Sequence, residues 1–182
     1  MKKFIALLFS LVLLVSGCGN ENLLNTPTKR VEMFLSSYQS LDDEVLDQLD
    51  DTINEEVAFN TEQREKYREL MKTHYQNLKY EIKDEIIDGD TAVVTVEIEV
   101  TDYSKVMNEA NTYLEENPDE FNDENGEYDL SLFTTYRLDK LKDVKDKVKY
   151  TLDLTLTKVD DDWQIDDISD EDQMKIHGLY NY

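Results

Sequence analysis

The sequence predicts an α+β domain, with N-terminal helices packed on a curved antiparallel sheet. A helical insertion is expected between the two hairpins of that sheet. Three observations predict it. Apolar residues recur at helical spacing from Val31 to Leu78. They then alternate at period two in two separate stretches. Helical spacing returns between those stretches, over about 103–145.

Each element has a local reason. Pro27 suits a first helical turn, where a missing N–H costs nothing, and Thr26 or Thr28 supplies the cap. Val31, Phe34, Leu35 and Tyr38 then fall on one helical face. A second short helix points Val45, Leu46 and Leu49 inward and places Asp42-Asp43-Glu44 at its positive end. Asn60 followed by Gln63 reads as a capping box opening a third helix. That helix runs to about Leu78, with Tyr67, Leu70, Met71, His74 and Leu78 on one face.

The period then switches. Tyr80, Ile82 and Ile86 alternate with charges, Asp88-Gly89-Asp90 is a turn, and Ala92, Val94, Val96, Ile98 and Val100 line one face of the return strand. Val106, Ala110, Tyr113 and Leu114 mark a helix ending near Asn117-Pro118. An acidic loop from Asp119 to Asp129 follows, then a helix from Leu130 to about Val144 carrying Leu130, Phe133, Leu138 and Leu141. In the second hairpin Val148, Tyr150, Leu152, Leu154 and Leu156 alternate with polar residues, Asp160-Asp161-Asp162 turns, and Trp163-Gln164-Ile165 begins the return. A polar segment, Ser169 to Gln173, precedes Met174, Ile176, Leu179 and Tyr180, which are expected to dock on the core.

Composition narrows the function. The 182 residues fit a single domain, here placed at 26–182. With 42 acidic against 19 basic residues the formal charge is −23, which excludes nucleic acid as a partner because phosphate binding needs a positive footprint. A lone cysteine excludes a disulfide framework and a zinc finger.

That cysteine closes a distinctive N-terminus. Lys2 and Lys3 precede an apolar run, Phe4 to Val15, too short to span a bilayer. It ends in Leu14-Val15-Ser16-Gly17-Cys18. The pattern resembles the lipobox of bacterial lipoproteins. The resemblance implies a signal peptide over 1–17, removed before Cys18, and acylation of the Cys18 sulfur with chains such as palmitate. Two acyl chains anchor a protein stably where one does not. The expected location is the extracytoplasmic face of the cell membrane, or the outer membrane of a host that has one. Residues 18–25 would form a short tether spanning about 15 Å. Loss of Lys2 and Lys3 takes the charge from −23 to −25.

The domain carries a second resemblance. Thr26-Pro27 opens a helix in which Phe34-Leu35 is followed by Leu41-Asp42, and the strands contain Gly89-Asp90-Thr91-Ala92-Val93-Val94 and Asp162-Trp163-Gln164-Ile165. These packing and turn motifs are similar to those of the nuclear-transport-factor-2-like (cystatin-like) superfamily, and within it to lumazine-binding-like domains of unknown function. The resemblance implies a cone-shaped α+β roll, a curved sheet wrapped around helices, often with a pocket at the open end. It also implies a homodimer through the exposed sheet face as one assembly. Members include enzymes, small-molecule binders and interaction modules, so fold alone does not assign the activity.

No catalytic motif stands out. His74 and His177 are the only histidines, and His74, on an apolar helix face, reads as a packed residue. Serine-acylation signatures are absent. Superfamily isomerases use a first-helix tyrosine; that position falls at Phe34, or one turn later at Tyr38. In the acidic loop, Gly126 at the sixth position of a calcium loop would put Phe121 first and Leu132 twelfth, where oxygen ligands are required, so it is no EF-hand. The sequence therefore assigns lipidation to Cys18, with no catalytic residue, metal ligand or cofactor. It points to a binding module for a small apolar ligand or an envelope protein. The alternatives are an isomerase- or dehydratase-type pocket enzyme and a purely structural docking domain.

Overall fold

The structure, a computed structural model, describes residues 25–56 and 59–181. The signal peptide, Cys18 and the tether up to residue 24 lie outside the described residues. The elements in order are α1 (Pro27–Ser40), α2 (Asp43–Glu55), α3 (Thr61–Gln76), β1 (Lys79–Asp88), β2 (Thr91–Thr101), α4 (Ser104–Glu116), α5 (Leu130–Lys142), β3 (Lys147–Val159), β4 (Asp162–Ile165) and α6 (Asp170–Ile176). A 3₁₀ turn, Pro118–Phe121, separates α4 from α5. The α+β class is as the sequence predicts. The four strands form one open antiparallel sheet in the order β1-β2-β3-β4. No described helix is long and apolar enough to cross a membrane.

The sheet has one apolar and one polar face. Ala92, Val94, Val96, Ile98 and Val100 of β2 pair with Leu156, Leu154, Leu152, Tyr150 and Val148 of β3. Val31 and Leu35 of α1 close over them and are fully buried. The opposite face carries threonines and ion pairs, including Lys149–Glu97 at 2.8 Å and Lys79–Glu99 at 2.9 Å.

Strand β1 departs from simple alternation. A bulge at Lys83 lets Ile82 pair with Val96 but Asp84 with Thr95, so every later side chain changes face. Ile86, expected inward, therefore pairs with Val93 and is 62% exposed. Glu85 takes the inward direction instead. Its carboxylate accepts hydrogen bonds from the backbone N–H and the hydroxyl of Thr28, at 2.8 and 2.7 Å. Thr26 Oγ1 accepts from Lys29 N, and Pro27 has no N–H, so the first turn of α1 is satisfied. Asn25 fixes the start of the domain to the β3–β4 turn, donating to the Asp161 carbonyl and accepting from Trp163 N.

Behind α1, a second cluster joins Val45, Leu49 and Ile53 of α2 to Met71 and Tyr75 of α3, with Tyr103 and Leu141. The capping box at Asn60 and Gln63 forms as predicted. Gln63 also reaches across to α5, donating to the Ser131 carbonyl at 2.8 Å and to Thr135 Oγ1 at 2.9 Å. Arg64 collects carbonyls at the end of α2, from Ile53 and Glu56, and from Phe59. A third, aromatic cluster of Phe121, Phe133, Tyr113 and Tyr136 holds α4 to α5. Leu130, predicted on the buried face of α5, lies in its first turn and is 45% exposed.

The polar segment at Ser169 is a helix start. Ser169 caps α6, accepting from Asp172 N at 3.1 Å. Helix α6 ends in a Schellman motif, with Leu179 N donating to the Met174 carbonyl and Gly178 N to the Lys175 carbonyl. Gly178 takes φ +69, and a Cβ there would sit 2.1 Å from the Thr101 carbonyl oxygen. Only glycine meets both demands.

Candidate functional site

A cleft of about 680 Å³ opens between α1–α2 on one side and the β4–α6 segment on the other. It is built from residues that serve the core on their other side. Phe34 and Tyr38 lie one and three positions from the buried Leu35 and project from the edge of α1 that the sheet leaves uncovered. Their rings meet edge to face at 5.4 Å. Tyr38 meets Tyr75 in the same way at 5.0 Å, and Tyr75 lies 5.7 Å from His177. These four rings form a continuous aromatic floor, extended by Ile165 and Ile168.

The rim has the opposite character. Glu44, Asp51 and Glu55 of α2 face Asp166 and Asp167 of the β4–α6 connection. None of these carboxylates has an ion pair or hydrogen bond among the described residues, and no lysine or arginine lines the cleft. The sequence places them there for simple reasons. Glu44, Asp51 and Glu55 occupy the outer face of a helix whose inner face is Val45, Leu49 and Ile53. Asp166 and Asp167 follow the last strand residue, beyond the alternation that would bury or expose them in turn.

The titratable groups beneath the rim are held neutral. Burial, and then the Glu44 charge, push the Tyr38 phenol up. Burial pushes the Tyr75 phenol up as well. Tyr75 Oη and His177 Nδ1 share a hydrogen bond of 3.0 Å, and burial lowers His177 to about 4. The cleft thus carries no positive charge of its own near neutral pH.

His74 is not part of this site. It is 1% exposed, and its Nε2 lies 2.8 Å from the Ile176 carbonyl. A carbonyl only accepts, so the proton is on Nε2, and the buried Nδ1 is left without a partner. Protonating Nδ1 would bury a charged donor with no acceptor, and burial accordingly lowers His74 to about 4. The histidine pins α6 to α3 and does not reach the cleft. Phe34 and Tyr38, the two positions considered for a catalytic tyrosine, do lie in the cleft; the histidine that shares it, His177, is hydrogen-bonded to Tyr75, and among the described residues no carboxylate there is hydrogen-bonded to either.

The acidic loop is organised around itself. Asp123 accepts from the backbone of Asn125 and Glu127, at 2.8 and 2.9 Å, and these bonds hold its carboxyl below the usual range. Among the described residues no group of three or more His, Cys, Asp or Glu side chains is arranged to hold a metal ion.

Sequence reasoning missed the cleft because its residues look like ordinary helix-surface acids and core aromatics. The available signal was that α2 carries acidic residues and no basic one. The geometry defines an α+β domain with one aromatic-floored, anionic-rimmed cleft. Compared with known proteins, the chain matches no family model, no curated protein and no solved structure.

Proposed function

We propose that this protein is a lipid-anchored, extracytoplasmic binding module whose ligand site is the cleft between α1–α2 and the β4–α6 segment. The anchor rests on Leu14-Val15-Ser16-Gly17-Cys18, and the resemblance of the domain's packing and turn motifs to nuclear-transport-factor-2-like lipoproteins supports reading the fold as a cone-shaped roll with α4 and α5 as its insertion. The observation that carries the binding role is the cleft itself. Its volume, about 680 Å³, falls in the range of small-molecule sites, and its floor is aromatic. An isomerase-type reading built on His74 has less support, because that histidine is committed to a backbone carbonyl outside the cleft.

The attachment of Asn25 to the β3–β4 turn gives the proposal an orientation. A lipid on Cys18 would hold that end of the sheet near the membrane. Helices α4 and α5, which join the other ends of β2 and β3, would stand away from it.

The test is intact-mass spectrometry on the full chain expressed in a bacterium that processes lipoproteins and extracted gently from membranes. The expected mass is that of a chain beginning at Cys18 plus a diacylglyceryl group, and Cys18→Ser abolishes both the added mass and the membrane retention. A soluble chain with a free Cys18 thiol, or an uncut chain, would refute the anchor. Native spectra of the same sample report any small molecule retained in the cleft.

A further inference from the structure

We infer that the ligand of the cleft is a small organic cation with apolar substituents, such as a substituted ammonium compound. The inference rests on the reading of the cleft as a ligand site and adds the chemistry of its occupant.

Three features of one cavity converge on that class. The floor offers the rings of Phe34, Tyr38 and Tyr75, and the face of an aromatic ring attracts a weakly hydrated cation. The rim gathers Glu44, Asp51, Glu55, Asp166 and Asp167 from two separate elements that face each other across the opening. Elsewhere some acids are paired with bases. Asp50, next to Asp51, binds Arg68 at 2.7 Å, and Glu97 meets both Lys83 and Lys149. Around the cleft no such pairing occurs among the described residues. Like charges arranged round a concave surface raise the local concentration of a cation. The same field disfavours anionic ligands. His177 stays neutral near pH 7, so it does not oppose a bound cation.

A divalent metal fits the site less well. The carboxylates stand on opposite walls, and among the described residues they do not gather into a metal-binding group. The aromatic floor would give a hard metal ion nothing, since such ions take oxygen ligands.

The probe is choline, compared with its neutral carbon isostere 3,3-dimethylbutan-1-ol. Both are titrated into the full chain in a non-ionic detergent, with binding read by amide chemical shifts. Choline is expected to shift resonances of Tyr38, Thr52, Asp167 and His177, and to bind about tenfold more tightly than the isostere. The triple variant Asp51→Asn, Asp166→Asn, Asp167→Asn is expected to remove that preference. These side chains hold nothing in the fold, so the variant remains folded and its amide spectrum verifies this. If both probes bind the cleft equally, the site stands and the cation inference fails. If neither shifts cleft resonances at millimolar concentration, the reading of the cleft as a small-molecule site fails with it. Shifts confined to residues outside the cleft would overturn the inference as well.

Discussion

The two sides of α1 present the protein's clearest contrast. On one side Val31 and Leu35 close against Val94, Val96, Ile98 and Leu152 and are inaccessible to water. On the other, Phe34 and Tyr38 look into an open cleft rimmed by unpaired carboxylates. The first surface is aliphatic, interdigitated and satisfied. The second is aromatic, hollow and electrostatically unbalanced. Folding explains the first completely; in the second, Phe34 and Tyr38 pack against the core on one side and leave the other open. Residues that serve folding reduce free energy locally, whereas a site held ready for a ligand retains unspent interactions.

Breaking the closed side has the largest expected effect. Leu152→Ala empties a fully buried position at the centre of the sheet and is expected to cost about 2–5 kcal/mol, seen as a lower urea midpoint. A smaller loss would mean that α1 settles into the gap and that the core is less tightly packed than it looks.

Between the two surfaces lies the C-terminal segment, which walls the cleft and seals the end of the sheet. Gly178→Ala would force a Cβ toward the Thr101 carbonyl from a left-handed backbone. The expected cost is about 2–4 kcal/mol. Hydrogen exchange should show the loss of protection concentrated in α6 and the end of β2, with the β2–β3 centre still protected. Uniform loss would merge the wall with the core and erase the distinction.

Acid probes the same wall more gently. Burial lowers His74 and His177 to about 4 in the folded protein, below the value of about 6.5 for a free histidine. Between those values the unfolded chain binds more protons than the folded one. The stability they contribute is therefore complete above about pH 6.5 and is lost as the pH falls toward 4. Each histidine contributes a slope of at most about 1.4 kcal/mol per pH unit. Urea midpoints measured between pH 7 and 5.5, above the range of ordinary carboxylates, should fall with pH, and His177→Gln should reduce the slope. A flat profile would mean that α6 opens without cost and that the cleft has no fixed wall.

The closed side was largely legible in the sequence. The alternation in β2 and β3, the Thr26-Pro27 helix start and the Asn60–Gln63 capping box are local patterns, and each formed where expected. The departures arose where distant residues decide. Ile86 was misassigned because a bulge at Lys83, paired against β2, reverses the faces of β1 and turns Glu85 toward α1. Ser169 to Gln173 looked merely polar because a seven-residue helix has little period to read, although its serine cap was present. The second role of Gln63, bonding Ser131 and Thr135 of α5, needs two helices brought together. The cleft was illegible for the same reason, since Asp51 and Asp167 come to line one cleft only after α2 and the β4–α6 connection are brought together.

The smallest expected effect on stability is also the most informative. The carboxylates of Asp51, Asp166 and Asp167 accept no hydrogen bond and form no ion pair among the described residues, and all three line the cleft. The direct measurement is urea unfolding of the Asp51→Asn, Asp166→Asn, Asp167→Asn variant beside the wild type at low ionic strength. If the carboxylates are held for a ligand, the variant's midpoint equals or exceeds that of the wild type. A clearly lower midpoint would show that they support the fold, and would contradict the assignment of the cleft as a binding site.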